Sequence, residues 1–212
     1  MRNTLQSATL AILATFLLYS QALGQAPVLT YGNNNTIDLV ENQANQRVDF
    51  FVSNIAGMGF DTFDLFIQIG DGGTLFGGSD TGPVLSNVEL GNPGTLFEGG
   101  VRAPADSTTQ TPLLWADGID NVEVTMDGIL GTLIFDTTGF FAGTSIGIQF
   151  EGITIPGNAN SFDTFFTDQS VLVPVPVSSA SNGIIRVIAV PEPASAIVIL
   201  AVAGIVGVRR RR

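Results

Sequence analysis

An all-β fold, an antiparallel β-sandwich held between two apolar terminal segments, is what this sequence predicts, and three observations predict it. Apolar residues in the middle of the chain recur with period two; Gly, Asn and Asp interrupt them at short intervals; and nothing between the two ends sustains a helical period. Setting the ends aside leaves about 165 residues, which suits a single domain.

The first segment is a leader. Arg2 is its one cation, residues 8–18 are apolar nearly all round, and Ala22 and Gly24 are small residues one apart. This is the layout of a secretory signal peptide over residues 1–24, with export through the Sec translocon and a cut between Gly24 and Gln25. A cut after Ala26 is disfavoured because Pro27 would follow it.

The body, residues 25–189, then reads as a series of strands. Thr62-Phe63-Asp64-Leu65-Phe66-Ile67-Gln68-Ile69 places Phe63, Leu65, Ile67 and Ile69 on one face. Asn121-Val122-Glu123-Val124-Thr125-Met126 and Ser145-Ile146-Gly147-Ile148-Gln149-Phe150-Glu151 alternate in the same way. Segments 36–41, 47–53, 84–90, 129–136 and 184–189 are less regular but rich in β-branched and aromatic residues. Turns are expected at Gly70-Asp71-Gly72-Gly73, Asn92-Pro93-Gly94, Asp117-Gly118, Asp127-Gly128 and Asn182-Gly183. Two stretches, 91–112 and 157–181, read as long loops. In the second, Val173-Pro174-Val175-Pro176-Val177 denies a central strand its ladder hydrogen bonds, so it is an edge or an extended loop.

Composition narrows the function. The body carries only Arg47, Arg102 and Arg186 against eighteen acidic residues, a net of −15, and the chain has no Lys. Nucleic-acid binding, which needs clustered cations, is excluded. Without Cys there are no disulfides or thiolate sites, and without His the Ser-His-Asp and Cys-His arrangements are impossible. Only carboxylate chemistry, as in a glycosidase, remains open to a hydrolase. Trp115 and Tyr31 are the only Trp and Tyr of the body, too few for an aromatic sugar platform, so no catalytic residue is assigned and the protein reads as a non-enzyme. Trp115, expected at a strand end, is read as core, with an exposed platform as the alternative. No cofactor is expected; calcium is the one candidate, through Asp117-Gly118-Ile119-Asp120-Asn121 or the 70–73 turn. Turn formation explains both stretches as well, and no metal ligand is assigned.

The last segment is the most specific. Residues 194–208 are fifteen without a charge, followed by Arg209, Arg210, Arg211 and Arg212. A helix of that length spans roughly 22 Å at ~1.5 Å per residue, against about 30 Å of hydrocarbon. It is a marginal transmembrane helix whose arginines hold that end in the cytoplasm. Pro191 and Pro193 keep the residues before them out of helical geometry, which presents Glu192 in an exposed tripeptide just outside the membrane. Pro191-Glu192-Pro193, the apolar run and the arginine cluster together resemble the PEP-CTERM sorting signal, here residues 190–212. The resemblance implies recognition by an exosortase, a sortase-like membrane transpeptidase, cleavage near the motif, and delivery to the cell surface or extracellular matrix of a Gram-negative-type bacterium. The competing reading is a plain tail anchor.

The body resembles a cohesin-like domain, a jelly-roll β-sandwich, over residues 28–189. The likeness rests on Val48-Asp49-Phe50-Phe51-Val52-Ser53-Asn54, Gly59-Phe60-Asp61-Thr62-Phe63-Asp64-Leu65, Gly131-Thr132-Leu133-Ile134-Phe135, Gly143-Thr144-Ser145-Ile146 and Asn182-Gly183-Ile184-Ile185-Arg186-Val187. It implies that the first two segments frame neighbouring strands and the last closes the sandwich. Ile69-Gly70-Asp71 stands where that family has a Tyr-Asp pair, so a dockerin-type partner does not follow. The sequence therefore predicts an exported, non-enzymatic surface or matrix protein with a structural or adhesive role. The alternative is a cohesin-like module that binds a protein or glycan.

Overall fold

A computed structural model describes residues 26–55, 57–74, 77–102, 108–111, 113–154, 161–168 and 173–190. The leader with Ala22, Gly24 and Gln25, and the tail with Pro191, Glu192, Pro193 and Arg209 to Arg212, lie outside them. So does the whole apolar stretch 194–208 expected to span the membrane. No helix among the described residues is long and apolar enough to cross a membrane.

Two β-sheets form the body. The first is antiparallel in the order β1 (Val28–Tyr31), β3 (Gln46–Ser53), β9 (Gly128–Asp136), β5 (Val84–Leu90). The second is built around β4 (Phe60–Ile69), which pairs along one side with β8 (Leu114–Val124). On its other side β4 meets β13 (Phe165–Asp168) at its start and β10 (Ser145–Gln149) at its end. Beyond β13 lies β14 (Val173–Pro176), and beyond β10 lie β15 (Gly183–Ile188) and β2 (Thr36–Val40). β6 (Val101–Arg102) and β7 (Thr108–Thr111) add to the free side of β8, while β11 (Ile153–Thr154) and β12 (Ser161–Phe162) form a small separate pair.

Period-two burial makes the core. Phe63, Leu65 and Ile67 of β4 point inward and meet Phe50 of β3 and Phe135 of β9, all at most 1% exposed. Phe166 of β13 packs at a tilt against Phe63 and Phe60, with ring centroids 4.7 and 5.3 Å apart. Burying each such ring contributes on the order of 1.5–3 kcal/mol, and without disulfides this packing carries the fold. Trp115, 7% exposed, belongs to the same core. Tyr31 is buried too; burial pushes its phenol up, and its hydroxyl donates to the Ser181 carbonyl at 2.8 Å.

The chain's first two described strands lie in different sheets. β1 belongs to the first and, after a turn at residues 32–35, the chain continues in the same direction as β2 in the second. Gly32 sits at φ +56, and a Cβ there would lie 2.1 Å from the Thr36 carbonyl oxygen, so only glycine allows the crossing. As a result β2 runs parallel to β15, the one parallel strand pair among the described residues, in a sandwich expected to be antiparallel throughout.

Several other expectations need correction. Asp117-Gly118 is not a turn but the interior of β8, with Asp117 facing the core opposite Leu65. The strand expected at 121–126 is the end of β8 and stops at Val124, leaving Met126 63% exposed in the turn to β9. The supposed loop 91–112 contains β6 and β7, and the supposed loop 157–181 contains β12, β13, β14 and a short 3-10 turn at Ser179–Ser181. β13 enters the sheet because buried Thr164 substitutes for a strand neighbour: its hydroxyl accepts from the Phe66 amide at 2.9 Å and donates to the Phe66 carbonyl at 2.7 Å. β14 is an edge, paired with β13 alone, a position that tolerates its alternating prolines. Finally, β3 and β4 lie in opposite sheets rather than side by side.

Candidate functional site

The site that the fold builds most definitely is the exit of the chain toward its C-terminal motif. β1, β2 and β15 all run toward the same end of the sandwich, so the described chain enters at one end, near Ser178 and Asn54, and leaves at the other.

Two loops frame that exit. Residues 41–45 follow β2, and residues 137–144 connect β9 to β10. Thr137, fully buried, joins them: its hydroxyl accepts from the Gln43 amide at 3.0 Å and donates to the Val40 carbonyl at 2.7 Å. Gln46 closes the 41–45 loop by accepting from the Val40 amide at 2.6 Å and donating to the Val40 carbonyl at 2.9 Å. The 137–144 loop is two tight turns, with the Phe140 amide on the Thr137 carbonyl at 2.8 Å and the Thr144 amide on the Phe141 carbonyl at 3.3 Å. Glu41 anchors its tip by accepting from the Ala142 amide at 3.0 Å.

The last strand is gripped from both sides until it ends. Val187 donates to the Thr144 carbonyl at 2.8 Å and accepts from the Gly143 amide at 3.0 Å, while the Ile188 carbonyl accepts from the Glu41 amide at 2.9 Å. On the outer face Arg186 and Asp38 make two hydrogen bonds of 2.8 and 3.0 Å, and this pairing raises the guanidinium further. Only Ala189 and Val190 separate this sheet-bound backbone from Pro191. The exit also exposes apolar groups: Phe141 is 69% exposed, Val190 59%, and Ile188 stands on the open face of β15.

The other candidates resolve into structure. Asp117 and Asp120 lie on opposite faces of β8, which takes apart the oxygen cluster imagined at 117–121. Asp71 remains in a turn, where its carboxylate accepts from the amides of Ser79, Asp80 and Gly73 at 2.5, 2.9 and 3.0 Å. Those bonds hold its carboxyl below the usual carboxylate range and occupy its lone pairs. Among the described residues no three acidic side chains gather as a metal site. Sequence reasoning missed Arg102 and Phe141; a lone arginine and an exposed aromatic in a turn carry no periodic signal.

These observations meet the comparison with known proteins at the exit. Residues 189–212 match the PEP-CTERM protein-sorting motif. The chain ends in a PEP-CTERM sorting signal. The motif begins at Ala189, one residue after the last strand, so the sandwich and the PEP-CTERM signal abut without a linker.

The sandwich itself is similar to cohesin modules. One is the sixth cohesin of scaffoldin B from Acetivibrio cellulolyticus, solved in complex with a Cel5 dockerin; the TM-score is 0.50 and identity 13%, over 77% of this chain and 99% of that one. Another is a chain of the CaDoc0917–CaCohA2 complex, with a TM-score of 0.51 and 15% identity over 76% and 99% of the two chains. At these identities the likeness is one of fold. No curated protein matches the sequence.

Proposed function

We propose that this is an exported, non-enzymatic protein of the cell surface or extracellular matrix whose C-terminal signal is processed by an exosortase. The observation that carries the reading is the PEP-CTERM motif at residues 189–212, which implies an exported protein held at the membrane before processing. The leader of residues 1–24 starts export and is removed by a cut between Gly24 and Gln25, the apolar residues 194–208 with Arg209 to Arg212 hold the tail across the membrane, and Glu192 between Pro191 and Pro193 is presented to the transpeptidase. The product is the β-sandwich of residues 25–189, acidic and closed around a phenylalanine-rich core. Its role is structural or adhesive. The cohesin-like fold, the absence of His and Cys, and the core position of Trp115 all support a non-catalytic module.

Replacing Pro191, Glu192 and Pro193 together by Ala in the producing organism tests the sorting step. The altered chain is expected to accumulate uncut in the inner membrane; unchanged release would remove the exosortase from the scheme.

A second reading is favoured by the fold likeness: the sandwich is a binding module for a protein or glycan, as the similar cohesin is solved with a dockerin. A saturable, stoichiometric complex recovered with the purified sandwich from its own matrix would support it over a purely structural role.

A further inference from the structure

We infer that the 137–144 loop, through Phe141, together with Ile188 and Val190, rests on the lipid surface while the C-terminal tail is in place. This rests on the sorting reading above, in which the tail is seated in the membrane.

The reach of the chain gives the first reason. The backbone is hydrogen-bonded to Glu41 as far as Ile188, and the uncharged run starts at Ala194. Six residues at most extended spacing cover about 20 Å, and the two prolines limit slack. The headgroup zone occupies about 5–8 Å on each side of the hydrocarbon. The exit end of the sandwich must then lie on or near that zone. A helix shorter than the hydrocarbon thickness draws the domain closer still.

Chemistry gives the second. Phe141 is held out at the tip of a loop whose backbone is fixed by Glu41, Thr137 and Val187, so its exposure is imposed by the fold. Aromatic side chains favour the interfacial zone, where an apolar ring is removed from water. Val190 precedes the motif's first proline, and Ile188 lies on the open face of the same strand. Met126, equally exposed, stands at the opposite end of the sandwich and should meet only water.

The absence of Cys makes the test direct, because single introduced thiols label cleanly. The full chain, reconstituted in phosphatidylcholine vesicles, would carry a nitroxide at one of three positions through Phe141→Cys, Met126→Cys or Ile199→Cys. Collision rates with oxygen, which concentrates in lipid, and with a soluble nickel chelate then report depth. The inference expects a deep signal at 199, an oxygen-favoured signal at 141 and a nickel-favoured signal at 126. A deep 199 with 141 indistinguishable from 126 overturns the lipid contact and leaves membrane seating of the tail intact. A nickel-favoured 199 overturns both.

Discussion

Arg102 of β6 pairs with the fully buried carboxylate of Asp117 on β8 and also donates to the Val88 carbonyl of β5, in the facing sheet, at 3.0 Å. One side chain thereby bolts the two sheets together along the side where β6 adds to β8. Burial pulls the Arg102 guanidinium below its ordinary value, against the opposing pull of Glu89, so desolvation is felt there.

Removing the cation while leaving the carboxylate buried is the costly change. Breaking a buried pair from one side costs about 3–5 kcal/mol, and because Arg102 is partly exposed we expect about 2–4 kcal/mol for Arg102→Ala in urea unfolding. Adding Asp117→Leu should recover part of the loss. A single-mutant cost within 0.5 kcal/mol of zero, the ordinary surface value, would show that the pair is not a bolt.

Phe166 tests the strand that sequence reading took for loop. It packs against Phe63 and Phe60 from β13, so Phe166→Ala should cost about 3–5 kcal/mol. A residue in a surface loop would cost far less, and such a result would remove β13 from the sandwich.

Gly183 and Gly147 form a matched pair on adjoining strands. A Cβ on Gly183 would meet the Asn35 carbonyl oxygen at 2.0 Å and the Tyr31 hydroxyl at 2.6 Å, whereas one on Gly147 meets nothing within 4 Å. Gly183→Ala should therefore destabilise by about 1–3 kcal/mol, and Gly147→Ala should stay within about 0.5 kcal/mol of the parent. Equal melting temperatures for the two variants would contradict the close crossing of β1–β2 over β15.

Asp71 predicts a pH signature. Amides of Ser79, Asp80 and Gly73 lower its folded-state pKa below the unfolded value of about 3.9. Its contribution is present above that unfolded value and is lost as pH falls through the lower folded value. The melting-temperature gap between the parent and Asp71→Asn should be constant above about pH 5 and close below about pH 4. Taking the difference cancels the self-repulsion of the acidic body, which both proteins share. A gap that widens in acid would reverse the assigned sign.

What was legible in the sequence follows from where its information lies. β4, β10 and β15 declare themselves because their burial alternates along a single strand, whereas β9, buried over six consecutive residues, shows only in its β-branched and aromatic content. Asp117-Gly118 misled because its chemistry is that of a turn; Arg102, fifteen residues away in sequence, brings the cation that pairs with this carboxylate on the inner face of β8. β6 and β7 are short strands stabilised by β8, and β13 depends on Thr164 bonding to Phe66 across 98 residues, so no local pattern marks them. At the exit the proportions reverse. The sorting motif is local and was readable residue by residue, while the grip of Glu41 and Thr144 on β15, and the exposed Phe141 beside it, appear only in three dimensions.

The most direct measurement is the intact mass and cell fraction of the native protein in its own host. Processing through the PEP-CTERM signal predicts a product that starts at Gln25, ends near residue 190 and is recovered outside the inner membrane. A product that keeps Arg209 to Arg212 and stays in the inner membrane would contradict it and make the tail a plain anchor.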